Sequence, residues 1–463
     1  MSIIDLSNIL EYNHFISQFG LTELGKSRLI KSHVIELGET ETVREKYWLH
    51  IFPNLMIIVL SILPLNALYF LLFRNNVSIK EYKFIYISRN SHIVKSAIIS
   101  KLLNNLVFLY PPSADIKNLL KHYKVMKNNR NSYIFSRFAF NYKLLYKILE
   151  YIFFIAPKIS KKITVKQKLF HIRVIKDLIY YYWSNNYIKN FVRDTHKKIV
   201  LTEHDSAGAF LFLIQALNRE GITTIQMQHG NFLKGNKEYI PITKYFFSCS
   251  KRERDILVSE NISPSRIFVY GAPLQYFSHE KPHEYNSKQQ YKALVIASEI
   301  NQANKTRDIS LYRNIDSLFN KGEYLFRFRP SSRENDFDFI HDYLNNAVIT
   351  KSENSLLEDI FCSELIISFS IDSLTHCLQM QKKVVFIPYI NTVLPISFIG
   401  KNEFIQVVTN EEELMRAVGN ESNLELDNLL RTQFIINNFG TTNLEELKSN
   451  LDESLRKVEN LKL

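Results

Sequence analysis

Apolar residues along this chain fall in short runs separated by polar turns and amphipathic stretches. The run at 84–88 (FIYIS) predicts a strand, followed by the polar turn Arg89-Asn90-Ser91-His92 and a helix through about Leu103. A second strand is predicted at 106–110 (LVFLY). The run Ile199-Val200-Leu201 ends in Thr202-Glu203-His204-Asp205. A helix from Ser206 to about Glu220 follows, Gly221 stops it, and 222–227 predicts a further strand ending in Gln228-His229-Gly230. Strands at 245–248 and 266–270 come next, the latter leading into Gly271-Ala272-Pro273. Residues 278–290 (SHEKPHEYNSKQQ) are polar and read as a linker. Five more runs follow, at 293–297, 324–328, 347–350, 365–369 and 384–387. From Asn410 onward the pattern is helical and acidic.

Strands that alternate with helices predict parallel sheets, hence an α/β fold. The expected organisation has four parts. Residues 1–75 form an N-terminal apolar helical segment. Residues 76–277 form a Rossmann-like domain with a basic, aromatic helical insertion at 115–198. Residues 278–409 form a second Rossmann-like domain, and 410–463 a helical tail. Two doubly wound parallel-sheet domains facing across a cleft are the expected architecture, with substrate held in the cleft.

Composition changes this picture little. The chain has 463 residues, enough for two domains of ordinary size, and its 46% hydrophobic and 22% charged residues describe a globular protein. Its three cysteines have no CxxC spacing, so neither a disulfide frame nor a structural zinc is expected. No metal ligand set and no cofactor is read from the sequence.

Charge adds more. The net charge is +12, yet residues 115–198 hold 19 Lys/Arg against 4 Asp/Glu, so the remainder is slightly acidic. Aromatic residues interleave this basic run at 140–157 (FNYKLLYKILEYIFFIAP) and 178–187 (LIYYYWSNNY). Lysine stems beside aromatic bodies suit an anionic membrane surface. A solvated helix face over an aromatic core is the competing reading. No helix-turn-helix, zinc-finger or RNA-binding signature is present, so nucleic acid is not an expected partner.

A second membrane signal lies upstream. Residues 47–73 contain no Asp, Glu, Lys or Arg and exceed the ~20 residues that cross a bilayer. Pro53 and Pro64 interrupt the stretch. Bilayer insertion, including a hairpin broken at Pro64, and a buried core hairpin are both consistent with it.

Candidate chemistry sits at the predicted strand ends, where parallel α/β sheets carry their ligands. In the first domain these ends hold Glu203, His204 and Asp205, then Gln228, His229 and Gly230. In the second domain, Ser368-Phe369-Ser370-Ile371-Asp372-Ser373 lies between a strand and a helix. Small hydroxyls at such a turn offer donors to a phosphate at the helix N-terminus. Arg327 and Arg329 alternate on one strand and so share a face, and paired guanidiniums suit phosphate or carboxylate. The polar turn beginning at Ser298 is a further candidate phosphate contact. Neither GxxxxGK[ST] nor a convincing GxGxxG is present, which excludes a P-loop NTPase and an obvious dinucleotide enzyme.

With these residues in place, the order of elements resembles GT-B glycosyltransferases. It is similar in particular to bacterial surface-polysaccharide enzymes for capsule and lipopolysaccharide, of the polysialyltransferase, Kdo-transferase and CDP-glycerol glycerophosphotransferase kind. The resemblance is carried by Gln228-His229-Gly230, Tyr270-Gly271-Ala272-Pro273, Arg327-Phe328-Arg329-Pro330 and 368–373. Such enzymes often show His-Pro where this chain has Arg329-Pro330.

The resemblance implies metal-independent transfer of a sugar, best matched by a CMP-activated nonulosonic or Kdo-like sugar. The implied acceptor is a lipid-linked or surface glycan at the cytoplasmic face of a bacterial inner membrane. Glu203, Asp205 or His229 would be the base, and Gln228, Gly230 and His204 would border the acceptor. Ser298, Arg327, Arg329, Ser368, Ser370 and Ser373 would hold the donor. A CDP-polyol phosphotransferase of the same fold, a sugar-nucleotide epimerase and a non-catalytic membrane scaffold are the alternatives.

Overall fold

The structure is a computed structural model. It describes residues 10–19, 21–23, 25–29, 51–53, 55–56, 82–87, 99, 101–110, 133–135, 142–160, 167–191, 198–203, 208–228, 240–271, 290–297, 305–328, 342–350, 356–369, 371–388, 404–419, 428–441 and 443–461. The chain forms two compact units. One comprises Met1–Gln228, Glu238–Phe247 and Ser265–Phe268; the other comprises His229–Lys237, Ser248–Pro264 and Val269–Leu463.

The first unit is built on a sheet of seven strands: β1 (Phe84–Ile87), β2 (Leu106–Tyr110), β3 (Tyr133–Phe135), β4 (Ile199–Thr202), β5 (Thr223–Met227), β6 (Tyr245–Ser248) and β7 (Ile267–Val269). Their spatial order is β3-β2-β1-β4-β5-β6-β7. The pairs from β3 through β6 are parallel, with Ile87 beside Thr202 and Thr202 beside Gln226. β1, β4 and β5 are buried along their whole length; the first two have unbroken apolar or β-branched sequences, and β5 carries the buried polar Gln226. Trp183 from the helix Gln167–Phe191 packs with Leu213 and Leu217 from the helix Gly208–Arg219 over Ile85, Val107 and Val200. The second helix stops where the sequence predicts: Gly221 has φ +77°, and the N–H of Ile222 returns to the carbonyl of Leu217.

The second unit carries a six-stranded sheet of β8 (Tyr291–Ala297), β9 (Tyr324–Phe328), β10 (Ala347–Thr350), β11 (Ser363–Ser368), β12 (Lys383–Phe386) and β13 (Ile405–Val407). The order is β10-β9-β8-β11-β12-β13, and every pair is parallel. Alternation along β8 divides its side chains between two cores. Ala293, Val295 and Ala297 join Tyr312, Ile315 and Leu414 on one face. Leu294 and Ile296 join Leu374, Leu378 and Phe439 on the other. Both faces are therefore covered by helices, as a parallel sheet requires.

The C-terminal helices belong to this second unit. Asn428–Phe439 packs against the helix Lys251–Ser259, whose N-cap Ser250 donates its hydroxyl to the carbonyl of Asn438 at 3.0 Å. Asn443 caps the last helix, Leu444–Asn460, by accepting from the N–H groups of Glu445 and Glu446.

Numbered within each domain, both sheets run 3-2-1-4-5-6, the Rossmann order, with β7 added to the first. The fold class is therefore α/β with two Rossmann-like doubly wound domains, the makeup of the GT-B class. Two strands escaped the sequence reading. β3 lies inside the region read as helical insertion, and β13 precedes the helical tail; each has three residues and sits at a sheet edge. Of the uncharged stretch 47–73, residues 51–53, 55 and 56 are described. Ile51 and Leu55 are buried and Phe52 meets Phe153 edge-on. The remainder lies outside the described residues. Among the described residues, no helix is long and apolar enough to cross a membrane.

Candidate functional site

In a sheet of order 3-2-1-4-5-6 the crossovers run in opposite directions from strands 1 and 4. The loops leaving their carboxyl ends diverge there and open a crevice for ligand. Each domain has one such point.

In the first domain it lies at the ends of β1 and β4. Their last residues, Ile87 and Thr202, are register partners, and Glu203 follows immediately. Glu203 is only 1% exposed, so this carboxylate sits in the mouth of the sheet rather than in solvent. On the neighbouring strand Gln228 is likewise buried. Its N–H donates to the carbonyl of Phe247 at 2.9 Å, which extends the β5–β6 ladder by one rung and fixes where the following loop begins. The expected site residues His204, Asp205, His229 and Gly230 lie outside the described residues.

In the second domain the point lies between β8 and β11. Ile296 pairs in register with Ser368, and the N–H of Phe369 donates to the carbonyl of Ile296 at 3.0 Å. The helix Ile371–Gln379 then starts within three residues of the strand end, which directs its unpaired N–H groups toward the crevice. Ser368 and Ser373 are both buried, and their Oγ atoms are 2.7 Å apart. Two of the three serines singled out from the sequence in this segment are thus brought together. Either hydroxyl can be the donor of that bond. Ser370, Ser298 and Arg329 lie outside the described residues.

Arg327 has a different setting. It stands on β9 beside Ile296 on one side and Thr350 on the other. It is buried, and its Nη1 lies 2.5 Å from Asp359 Oδ2. Asp359 belongs to the short helix Leu356–Phe361, and the Thr350 hydroxyl donates to the same carboxylate oxygen at 3.1 Å. The guanidinium expected to reach a phosphate is therefore paired inside its own domain. Sequence reading missed Asp359 and Thr350. The available signal was the position of Arg327 between apolar residues of a buried strand, where a charge requires a partner.

No protein-family model matches this chain, and no curated protein sequence matches it. Among solved structures, the chain is similar to UDP-N-acetylglucosamine 2-epimerase from Rickettsia bellii, at 13% identity and a TM-score of 0.48, covering 82% of this chain and 96% of that one. It is also similar to UDP-GlcNAc 2-epimerase from Neisseria meningitidis bound to UDP-GlcNAc, at 12% identity and a TM-score of 0.49, covering 81% and 99%. A third likeness is to TarM, at 14% identity and a TM-score of 0.38, covering 59% and 57%. With TM-scores below 0.5, the fold assignment rests on the two strand orders.

Proposed function

We propose that this chain is a glycosyltransferase that moves a sugar from a nucleotide donor to a lipid-linked or surface-glycan acceptor. The observation that carries the reading is the strand-to-helix turn of the second domain. A buried pair of hydroxyls, Ser368 and Ser373, lies at the crossover point of a Rossmann-ordered sheet, against a helix N-terminus. That combination suits the phosphate of a nucleotide.

The proposed reaction follows from charge. The acceptor hydroxyl oxygen bonds to the anomeric carbon as the bond from that carbon to the donor phosphate oxygen breaks. The electron pair leaves on the phosphate, where the helix N-terminus, the Ser368 and Ser373 hydroxyls, and Ser298, Ser370 and Arg329 would meet the growing negative charge. The acceptor proton goes to a first-domain base. Glu203 is our choice, because it occupies that domain's own crossover point; Asp205 and His229 are the other candidates. In this proposal Arg327 shapes the end of β9 through Asp359 and leaves direct phosphate contact to Arg329. His204, Gln228 and Gly230 would border the acceptor. The proposed donor is a CMP-activated nonulosonic or Kdo-like sugar, and the proposed place of work is the cytoplasmic face of a bacterial inner membrane.

Thermal-shift binding of the purified chain to CMP, CDP, UDP and GDP tests the reading, with Ser373→Ala and Arg329→Ala as controls. Stabilisation by CMP that both variants lose is the expected result. A preference for CDP would shift the reading to polyol-phosphate transfer, and UDP or GDP to a hexose donor. No response to any nucleotide would overturn it.

A further inference from the structure

The helical run from Tyr142 to Ser160 has two unlike sides. It comprises the helix Tyr142–Glu150, a π-helical turn at Tyr151–Ile155 and the helix Ala156–Ser160. Its inner side is core: Leu144, Ile148, Tyr151, Ile152, Ala156 and Ile159 are all buried, and the Tyr151 ring lies 5.0 Å from that of Phe15. Its outer side leaves two aromatic rings largely in solvent, Phe154 at 68% exposure and Tyr146 at 65%, while Phe153, at 42%, meets Phe52 edge-on. The two phenylalanines are adjacent and fall within the π turn, a distortion frequent at functional positions. Lys143 and Lys158 are exposed on the same run, and Lys147 lies 5.9 Å from the Tyr146 ring centroid.

Exposed large rings on a folded surface mark a place of interaction. The long helix Gln167–Phe191, equally rich in aromatic residues, makes the contrast plain, because its Phe170 and Trp183 are buried. The partner is indicated by charge. The exposed lysines of this run, Lys143 and Lys158, are complemented by an acidic surface. Aromatic rings set among lysines on a helix side match the bilayer interface, where rings enter the acyl boundary and ammonium groups stay at the headgroups.

We propose that the outer side of residues 142–160 docks this protein on an anionic lipid surface, with Tyr146 and Phe154 as the inserted groups and Lys143 and Lys158 at the headgroups. The surface would bring the protein to a lipid-linked acceptor. It gains that purpose from the transferase reading, but its binding is measured separately.

The test is co-sedimentation of the full chain with vesicles of phosphatidylcholine alone or mixed with phosphatidylglycerol, at low and high salt. The wild type is expected to bind the mixed vesicles and to weaken in salt. Tyr146→Ser with Phe154→Ser should lower binding by about tenfold or more with an unchanged melting temperature. Lys143→Gln with Lys158→Gln should lower it roughly tenfold and flatten the salt dependence. Nucleotide stabilisation, read in the same variants, should persist in both, so that failure of the surface and failure of the transferase reading are told apart. Failure of the wild type to bind any vesicle, or unchanged binding by the aromatic variant, would overturn the proposal. So would loss of self-association in that variant during sedimentation velocity without any vesicle binding, which would identify a second copy as the occupant.

Discussion

Arg327 Nη1 and Asp359 Oδ2 form a buried ion pair that ties β9 to the helix after β10, with Thr350 donating to the same oxygen. Removing one partner strands the other charge away from water. Asp359→Ala is expected to cost about 3–5 kcal/mol of stability. The double variant Arg327→Met with Asp359→Leu should recover most of that loss, because it removes both charges. Urea denaturation of both variants beside wild type checks this; a double variant as unstable as Asp359→Ala would show that the pair is needed for more than charge balance.

Ser368 and Ser373 share one hydrogen bond, and in the proposed site both border the nucleotide phosphate. Alanine at either position is expected to weaken nucleotide binding by about 0.5–1.5 kcal/mol, the range of a single neutral hydrogen bond. Calorimetric titration of both variants measures it. Wild-type affinity in both would place the nucleotide elsewhere.

Glu203 is buried next to the end of β4 and is the base in our proposal. Glu203→Gln keeps the shape and removes the basicity. Turnover should fall by roughly 10²–10⁴ while nucleotide affinity is retained. Undiminished turnover would move the base to Asp205 or His229.

His171 gives a pH dependence. It is fully buried, its Nδ1 lies 2.6 Å from the Tyr151 hydroxyl and its Nε2 lies 2.7 Å from the Ser160 hydroxyl. Burial pushes its pKa down from 6.5 to about 3. Below pH 6.5 the unfolded chain therefore takes up a proton that the folded protein refuses until about pH 3. Stability is full above pH 6.5 and is lost as pH falls through that window, by at most about 1.4 kcal/mol per unit from this group. His171→Gln should flatten the stability profile between pH 6.5 and 4. An unchanged slope would mean that His171 is protonated in the folded state.

Gly271 sits at φ +111°, and a Cβ there would lie 2.4 Å from Leu447 Cδ2 and 2.9 Å from the Thr441 carbonyl oxygen. Backbone strain alone makes Gly271→Ala cost on the order of 1–3 kcal/mol. A melting temperature equal to wild type would show that this turn and the last helix can separate without loss.

Much of the fold was legible because it depends on local sequence. The runs at 106–110, 245–248, 324–328 and 347–350 coincide with observed strands, since parallel strands buried on both faces need continuous apolar sequence. β3 was missed because its three residues lie in a basic stretch read as helical, and β13 because Gln406 interrupts it; β7, equally short, was legible because Gly271 and Pro273 punctuate the sequence after it. Glu203 and Ser368 stand where the sequence placed them, at or just past a strand end, because a strand end shows where an apolar run gives way to polar residues.

The partner of Arg327 was not legible. Asp359 is 32 positions away, and only the packing of its helix against the sheet brings the two together. Nor does composition separate the aromatic residues of 142–160 from those of 167–191; the sides their helices turn to the core make the difference. Alone, the sequence determined where strands and helices form and which polar groups stand at their ends, because those features follow from short-range periodicity. The tertiary structure decided the 3-2-1-4-5-6 order of each sheet, the pairing of buried charges and which rings face water, because each depends on segments far apart in the chain being held side by side.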